Sequence, residues 1–269
     1  MTRLTEEIVE RISISSDSID DLLTEHTGMN LLELACDAVG IKADLLETSV
    51  KVGIVPMSSG MGIVKGFSEL VAKIVNKLGM EAFVTVETDV TGFAEAICAS
   101  AEVIFMADDT MFIAYNTRTK RYYNASFSTA AGYVSALKGA ADGLKDKDVL
   151  IIGAGRVGSA AAEIMAKMSA KVSVYDIDEK KTFELQRRFD IKPVFDLNES
   201  IKEHTLIFNA SPASIGGKYL KEGSIISSPG LPCAYDEECI RKSKVIIHDV
   251  VSIAVAVMAV QSAGLSRKT

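Results

Sequence analysis

The chain has 269 residues, enough for one large or two modest domains, and its 48% apolar content supplies the side chains of a buried core. A formal net charge of −7, without any lysine- and arginine-rich run, excludes the electrostatic pattern of a protein that binds nucleic acid or an anionic membrane. Four scattered cysteines and three scattered histidines predict neither a disulfide framework nor a metal site, and they fit a reducing cytoplasm.

The first half of the chain predicts helices followed by an alternating α/β series. Apolar residues recur at helical spacing from residue 5 to about residue 37, and the acidic opening differs from the layout of a secretory signal. Strands are predicted at 52–55, 82–86, 103–106 and 111–115, with helices at 67–78 and 92–99. Such alternation is typical of parallel strands joined by helical crossovers.

The second half contains another α/β series, preceded by a connecting helix at 127–144. Its strands are predicted at 149–152, 171–175, 206–209, 224–227 and 245–247. We therefore predict an α/β protein with a C-terminal Rossmann domain on a parallel sheet, at 126–249, and a smaller N-terminal α/β domain opened by helices, at 1–125. Residues 250–269 hold a last helix, too short to span a membrane, whose return to the first domain would make the domain boundary discontinuous.

A glycine-rich loop, residues 153–158, joins the predicted strand at 149–152 to a helix and matches the GxGxxG pattern of dinucleotide-binding domains. The first glycine allows a tight turn, the second lets the backbone approach a pyrophosphate, and the third lets the helix pack closely on the sheet. The free amides at the helix N-terminus then face the dianion. The predicted cofactor-binding residues of this loop are Gly153, Ala154, Gly155, Arg156, Val157 and Gly158.

Asp176 ends the following strand, where an acidic side chain accepts hydrogen bonds from the adenine ribose hydroxyls and repels a 2′-phosphate. This placement favours NAD over NADP as the cofactor. A nucleotide-free Rossmann-like domain and a different ligand such as S-adenosylmethionine are the alternatives. Further cofactor contacts are expected at the end of the strand at 206–209, from Asn209, Ala210, Ser211 and Pro212, although these residues also fit an ordinary turn.

Two polar segments follow strands of the first domain. Ser58 and Ser59 lie in a glycine-rich loop whose hydroxyls and amides suit a carboxylate or another polar group, unless the loop is an ordinary turn. Asp108 and Asp109 can hold an ammonium group and remove its proton, or can form an Asx turn. The segment 88–91 is interpreted as a helix cap at the surface.

Several of these segments together resemble the pyrrolysine-forming dehydrogenase family. They read VGIVP at 52–56, SSGMGI at 58–63, FSE at 67–69, FMADD at 105–109 and SPGLPCA at 228–234. The resemblance spans nearly the whole chain, and these segments are more specific than the dinucleotide motif. Weaker similarity, mainly over the Rossmann half, extends to shikimate and methylene-tetrahydrofolate dehydrogenases, so an NAD(P) dehydrogenase of that type is the alternative function.

The resemblance implies the last step of pyrrolysine biosynthesis. In that step NAD oxidises the terminal amine of 3-methylornithyl-N6-lysine, ammonia leaves, and the pyrroline ring closes. It also implies that a helix carrying Leu4 serves as a lid, that Ser58, Ser59, Asp108 and Asp109 hold the substrate, and that one loop lines the site. The residues of that loop are Pro229, Gly230, Leu231, Pro232 and Cys233. Neither the residues nor the resemblance decides which aspartate is catalytic or whether the chain forms a homodimer.

Overall fold

The computed structural model describes residues 5–7, 9–10, 18–231, 233, 235–249 and 251–264, so the predicted site residues Leu4 and Pro232 lie outside the described residues. The chain forms two compact units. The first unit comprises Met1–Asp20, Leu31–Ser128 and Val251–Thr269, and the second comprises Asp21–Asn30 and Thr129–Val250. The predicted domain boundaries at residues 125 and 249 stay a prediction. The sequence pattern did not predict that residues 21–30 belong to the second unit.

The first unit is built on a five-stranded sheet. Its strands are β1 (Lys51–Val55), β2 (Glu81–Val84), β3 (Val103–Ala107), β4 (Phe112–Asn116) and β5 (Arg121–Asn124). They lie in the order β2-β1-β3-β4-β5, where β1 pairs in parallel with β2 and β3, and the pairs β3–β4 and β4–β5 are antiparallel. The strand β5 was not predicted, and it shows that residues 118–123, for which the sequence suggests no role, belong to a β-hairpin.

The helices of the first unit pack on this sheet and on one another. They are α2 (Leu31–Val39), α3 (Phe67–Lys77), α4 (Asp89–Cys98) and α10 (Ser252–Ala263), and a 3-10 helix spans Ala43–Leu45. Helix α10 is apolar on nearly every side because it packs against α2, α3, β4 and β5. The Asn116 side-chain amide donates to the Ser262 carbonyl oxygen at 2.8 Å, which ties the C-terminal helix to the sheet.

The second unit is built on a six-stranded parallel sheet. Its strands are β6 (Asp148–Ile152), β7 (Lys171–Tyr175), β8 (Ile191–Pro193), β9 (Leu206–Asn209), β10 (Ser224–Ser227) and β11 (Ser243–Ile247). Their order β11-β10-β9-β6-β7-β8 is the 3-2-1-4-5-6 arrangement of a Rossmann domain. The predicted α/β class with a C-terminal Rossmann domain is confirmed. Sequence inspection missed the edge strand β8, because it is short and ends in a proline.

Helices connect the strands of this sheet. They are α6 (Arg156–Lys167), α7 (Glu179–Arg188), α8 (Leu197–Glu203) and α9 (Glu237–Lys242), with a 3-10 helix at Gly217–Tyr219. Helices α1 (Ser18–Thr27) and α5 (Ala125–Ala140) each contain a unit boundary. Within the described ranges, no helix is both long and apolar enough to cross a membrane.

The strand order places the topological switch point at the centre of the second sheet, between β6 and β9. Strands β6 and β9 are neighbours, and the chain leaves them toward opposite edges of the sheet. Ligands of doubly wound sheets bind outside the carboxyl ends of the strands at this switch point. The glycine loop follows β6, and Asn209 ends β9, so both predicted cofactor segments lie at the switch point.

Candidate functional site

Three glycines give the loop at 153–158 its shape. Gly153 has φ +96°, a left-handed conformation that suits glycine. A Cβ atom on Gly158 would lie 1.8 Å from the Gly153 carbonyl oxygen, so only glycine allows helix α6 to start this close to the turn. A Cβ atom on Gly155 would meet nothing within 4 Å, which leaves open space beside the backbone where the sequence predicts a pyrophosphate.

Helix α6 begins directly after Gly155, its N-cap residue. Glycine has no side chain that could accept hydrogen bonds from the amides of the first helical turn, whereas most helices have a Ser, Thr, Asp or Asn there. A helix N-terminus without a side-chain cap, next to open space, is the arrangement that binds phosphate groups. The loop therefore fits a dinucleotide.

The Asp176 carboxylate lies beside the glycine loop and accepts hydrogen bonds from two backbone amides. Ala154 N–H donates to Oδ2 at 2.6 Å and Asp178 N–H donates to Oδ1 at 2.9 Å. The Lys181 ammonium lies 3.9 Å from Oδ1, and the Asp176 side chain is only 9% exposed. A carboxylate has about four lone-pair positions, so these bonds leave acceptor capacity for a ribose hydroxyl.

The predicted cofactor-binding residues after β9 form a turn that is held by hydrogen bonds of the Asn209 side chain. Asn209 is buried, its Oδ1 accepts from the Ser211 hydroxyl at 2.9 Å, and its side-chain amide donates to the Ala213 carbonyl at 3.0 Å. The Asn209 side chain thus shapes the turn at residues 210–213, as the ordinary-turn interpretation expects. The turn in turn lies against Gly153, since a Cβ atom there would be 3.0 Å from the Ser211 Cβ.

The loop after β10 is fastened to the same turn. Gly230 N–H donates to the Asn209 carbonyl at 3.0 Å, and a Cβ atom on Gly230 would lie 2.2 Å from the Ser211 carbonyl oxygen. Tyr235 adds a second link, because its hydroxyl accepts from the Asn209 side-chain amide at 3.4 Å and donates to the Ser228 hydroxyl at 2.6 Å. The two loops therefore form one stiff surface at the carboxyl ends of β9 and β10.

Burial acts on the titratable groups beside this surface. It raises the pKa of the Cys233 thiol, although hydrogen bonds from Ser228 and Tyr235 act in the opposite direction. It also raises the pKa of Tyr235 to about 12. Both side chains are therefore protonated near neutral pH. Pro229 and Leu231 are half-buried in the same loop, and Nδ1 of His248 lies 2.7 Å from the Ser228 carbonyl oxygen.

In the first unit, Asp108 and Asp109 differ in what they bind. Asp108 Oδ1 accepts from the amides of Thr110 and Met111, both at 2.7 Å, which is an Asx turn. Asp109 instead reaches the serine loop, which we define as residues 56–62, where Met61 N–H donates to its Oδ2 at 2.6 Å. Gly60 makes this approach possible, because a Cβ atom there would lie 2.2 Å from the same oxygen.

Asp89 is a site residue that the sequence did not reveal. It begins helix α4, as the helix-cap interpretation of 88–91 expects, but its carboxylate binds the serine loop. Ser58 N–H donates to Oδ1 at 2.8 Å and the Ser58 hydroxyl donates to Oδ2 at 2.6 Å. Strands β1 and β2 are parallel neighbours, so the segments that follow them meet at one edge of the sheet. Predicting that β1 and β2 are neighbours would have placed Asp89 beside the serine loop.

Two carboxylates, those of Asp89 and Asp109, therefore contact the serine loop. Two of its backbone amides, at Ser58 and Met61, already bind carboxylates of the protein itself, whereas the sequence suggested amides available for a substrate carboxylate. Ser59 is exposed in this loop. Among the described residues, no cluster of three or more His, Cys, Asp or Glu side chains could hold a metal ion. The arrangement suits a ligand group with N–H donors.

Comparison with known protein families assigns a different family model to each part of the chain. The model of the pyrrolysine biosynthesis protein PylD, N-terminal domain, matches residues 8–123. The model of the alanine dehydrogenase/PNT C-terminal domain matches residues 123–266. Among solved structures, shikimate dehydrogenase from Aquifex aeolicus is similar with a TM-score of 0.53 at 15% identity, covering 78% of this chain and 91% of that chain. This likeness shows a shared fold.

Curated relatives match almost the entire chain. The pyrrolysine synthase of Methanosarcina barkeri is 34% identical over 263 residues, covering 96% of this chain and 97% of the relative. The pyrrolysine synthase of Methanosarcina acetivorans is 31% identical over 263 residues, covering 96% of this chain and 98% of the relative. These relatives show that the chain belongs to the pyrrolysine synthase family.

Proposed function

We propose that the chain is an NAD-dependent dehydrogenase that oxidises the terminal amine of 3-methylornithyl-N6-lysine, the step that forms pyrrolysine. The observation that carries this proposal is the similarity to two pyrrolysine synthases over 96% of the chain. The geometry adds a dinucleotide-shaped loop in the second unit and a carboxylate-rich loop in the first. An amine substrate matches the acidic loop better than the hydroxy acid of a shikimate-type enzyme does.

The second unit supports NAD as the cofactor. The space beside Gly155 and the uncapped start of α6 suit the pyrophosphate, and Asp176 suits the ribose hydroxyls. The same carboxylate repels a 2′-phosphate. The Lys181 ammonium 3.9 Å away offsets little of this repulsion, because its side chain is 49% exposed and screened by water. When bound, the nicotinamide supplies a hydride acceptor.

We assign the catalytic role in the first unit to Asp109. Asp109 follows the end of β3, and its carboxylate accepts a hydrogen bond from the Met61 amide of the serine loop. The Asp108 carboxylate instead accepts hydrogen bonds within its own Asx turn. A carboxylate in this position orients the substrate amine and removes one proton from its nitrogen as the adjacent carbon is oxidised. Ser58 and Ser59 supply further polar contacts from the same loop.

The chemistry balances with these residues and one oxidant. The carbon bearing the terminal amine loses a hydride, the nitrogen loses a proton to the base, and an imine remains. The α-amine of the methylornithine part then attacks this imine, and ring closure releases ammonia. In the alternative order, water first hydrolyses the imine to an aldehyde and ammonia, and ring closure then releases the water. The product is lighter than the substrate by ammonia and two hydrogens. Exclusion of water protects such a reactive imine, and the lid role of Leu4 remains a prediction of the family resemblance.

The proposal is tested by incubating the protein with NAD and the synthetic substrate, with shikimate as a control. We expect NADH absorbance and a product of the stated mass with the amine substrate only. The absence of both would refute the assignment, and NADH formation with shikimate alone would support the alternative function.

We place the enzyme in the cytoplasm, because all four cysteines are free thiols.

A further inference from the structure

Asp89 holds an unusual backbone conformation at the start of α4. Its φ is +53°, a left-handed value that few residues other than glycine, asparagine and aspartate adopt. Its amide donates to the Pro56 carbonyl oxygen at 3.0 Å, and its carboxylate binds both the amide and the hydroxyl of Ser58. One residue thus fixes the beginning of the serine loop by three hydrogen bonds.

The charge of Asp89 decides the direction of the bond to Ser58. The Ser58 hydroxyl, the Ser58 amide and the Thr88 hydroxyl all donate to this carboxylate and hold its pKa below the ordinary value. The group is therefore ionised near neutral pH and only accepts hydrogen bonds. Because the Ser58 hydroxyl hydrogen points to Asp89 Oδ2 at 2.6 Å, the same hydroxyl offers other groups only its oxygen lone pairs.

We propose that Asp89 is a positioning residue that keeps the Ser58 hydroxyl in the acceptor orientation, so that the serine loop selects the amine end of the substrate over a carboxylate end. This inference rests on the proposed function and deepens it by naming the group that sets amine specificity. Asp89 acts through Ser58, whereas Asp109 contacts the amine itself.

Asparagine at position 89 is the informative substitution. Asn tolerates a left-handed backbone, and its Oδ1 can still accept from the Ser58 amide. Its Nδ2 would then donate to the Ser58 oxygen, so the hydroxyl hydrogen would turn toward the ligand. D89N thus inverts the polarity of one hydroxyl with little change in shape. S58A removes the hydroxyl, and D196N is the matched control, because Asp196 also accepts a helix amide, Glu199 N–H at 3.0 Å, in the second unit.

Binding is measured by calorimetric titration of 3-methylornithyl-N6-lysine into the NADH-loaded protein, which cannot turn the substrate over. A hydrogen bond to a charged group corresponds to roughly tenfold or more in affinity. We expect D89N and S58A each to bind about tenfold more weakly than wild type, and D89N/S58A to bind no more weakly than the weaker single variant. NADH affinity should match wild type in all four variants. With NAD, KM should rise while kcat stays within about twofold.

The outcomes separate this inference from the proposed function. The role of Asp89 would be overturned if D89N bound the substrate as tightly as wild type does. It would also be overturned if the losses of substrate affinity in the two single variants multiplied in the double variant. Both outcomes count even if wild type forms pyrrolysine. An equal loss of NADH affinity in D89N would also overturn this role, because the effect would then be a general structural one. A wild-type protein that binds the substrate without oxidising it would refute the proposed function, and the variant affinities would still decide the role of Asp89. Absence of substrate binding to wild type would refute both.

Discussion

Gly155→Ala separates cofactor binding from folding. Gly155 has φ −73° and ψ −167°, an extended conformation that alanine adopts without strain, and the added methyl would meet no protein atom within 4 Å. The folded protein should therefore accept the substitution, and the lower entropy of the unfolded chain should increase stability by about 0.4–1 kcal/mol. The methyl would, however, occupy the space in which the proposed pyrophosphate approaches the backbone.

The loss of affinity follows from the hydrogen bonds that the methyl prevents. Each charge-assisted bond to the diphosphate contributes about 1.5–3 kcal/mol, so losing one or two weakens NAD binding by roughly 10- to 100-fold or more. At an NAD concentration 100 times the wild-type Kd, NAD stabilises wild type by about 2.7 kcal/mol. A variant with 100-fold weaker binding gains only about 0.4 kcal/mol at that concentration. At roughly 2–4 °C per kcal/mol, the wild-type Tm rises by about 5–11 °C and that of the variant by about 1 °C.

Gly158→Ala provides the contrast in the same loop. Its methyl would lie 1.8 Å from the Gly153 carbonyl oxygen, so the start of α6 must move and the fold should lose about 1–3 kcal/mol. Thermal melts of both variants with and without NAD make the comparison. A G155A protein that keeps the full wild-type Tm rise with NAD, or one as unstable without NAD as G158A, would refute the reasoning.

Three further substitutions test other parts of the account. D176A removes the acceptor of the Ala154 amide and of the proposed ribose contact. Fluorescence titrations should therefore show about tenfold weaker NAD binding and a smaller preference for NAD over NADP. An unchanged preference for NAD would contradict this role. D109N should lower kcat by at least about 100-fold with NAD affinity unchanged, whereas abolished NAD binding would contradict the proposed division of roles. Burial raises the pKa of Tyr235 from 10.0 to about 12, so the folded state retains a proton that the unfolded chain loses, and stability falls as the pH rises across this interval. Denaturant unfolding of Y235F should therefore show a smaller decline between pH 10 and 12, by up to about 3 kcal/mol, and an equal decline in both proteins would contradict the assignment.

The second unit was largely predictable because its determinants are local in sequence. The glycine spacing, the preceding apolar strand and the acidic end of the next strand each follow from short-range rules, and the structure places Gly153, Gly158 and Asp176 together at the switch point. The strand β8 was missed because three residues ending in Pro193 carry too little periodicity.

The acidic serine loop was less predictable because its contacts join distant parts of the chain. Ser58 and Asp89 become neighbours only once β1 and β2 pair in parallel. Asp108 and Asp109 look equivalent in the sequence, yet one side chain turns back on its own backbone and the other reaches Met61. Side-chain direction after a strand end depends on the neighbouring loop, which no sequence period encodes.

Isotope transfer tests the central claim most directly. A substrate carrying deuterium on the carbon that bears its terminal amine is incubated with the protein and NAD, and the reduced cofactor is analysed by mass spectrometry. Amine oxidation predicts NADH that carries one deuterium, together with a product that has lost ammonia. NADH without deuterium, or a substrate that returns unchanged, would contradict the account.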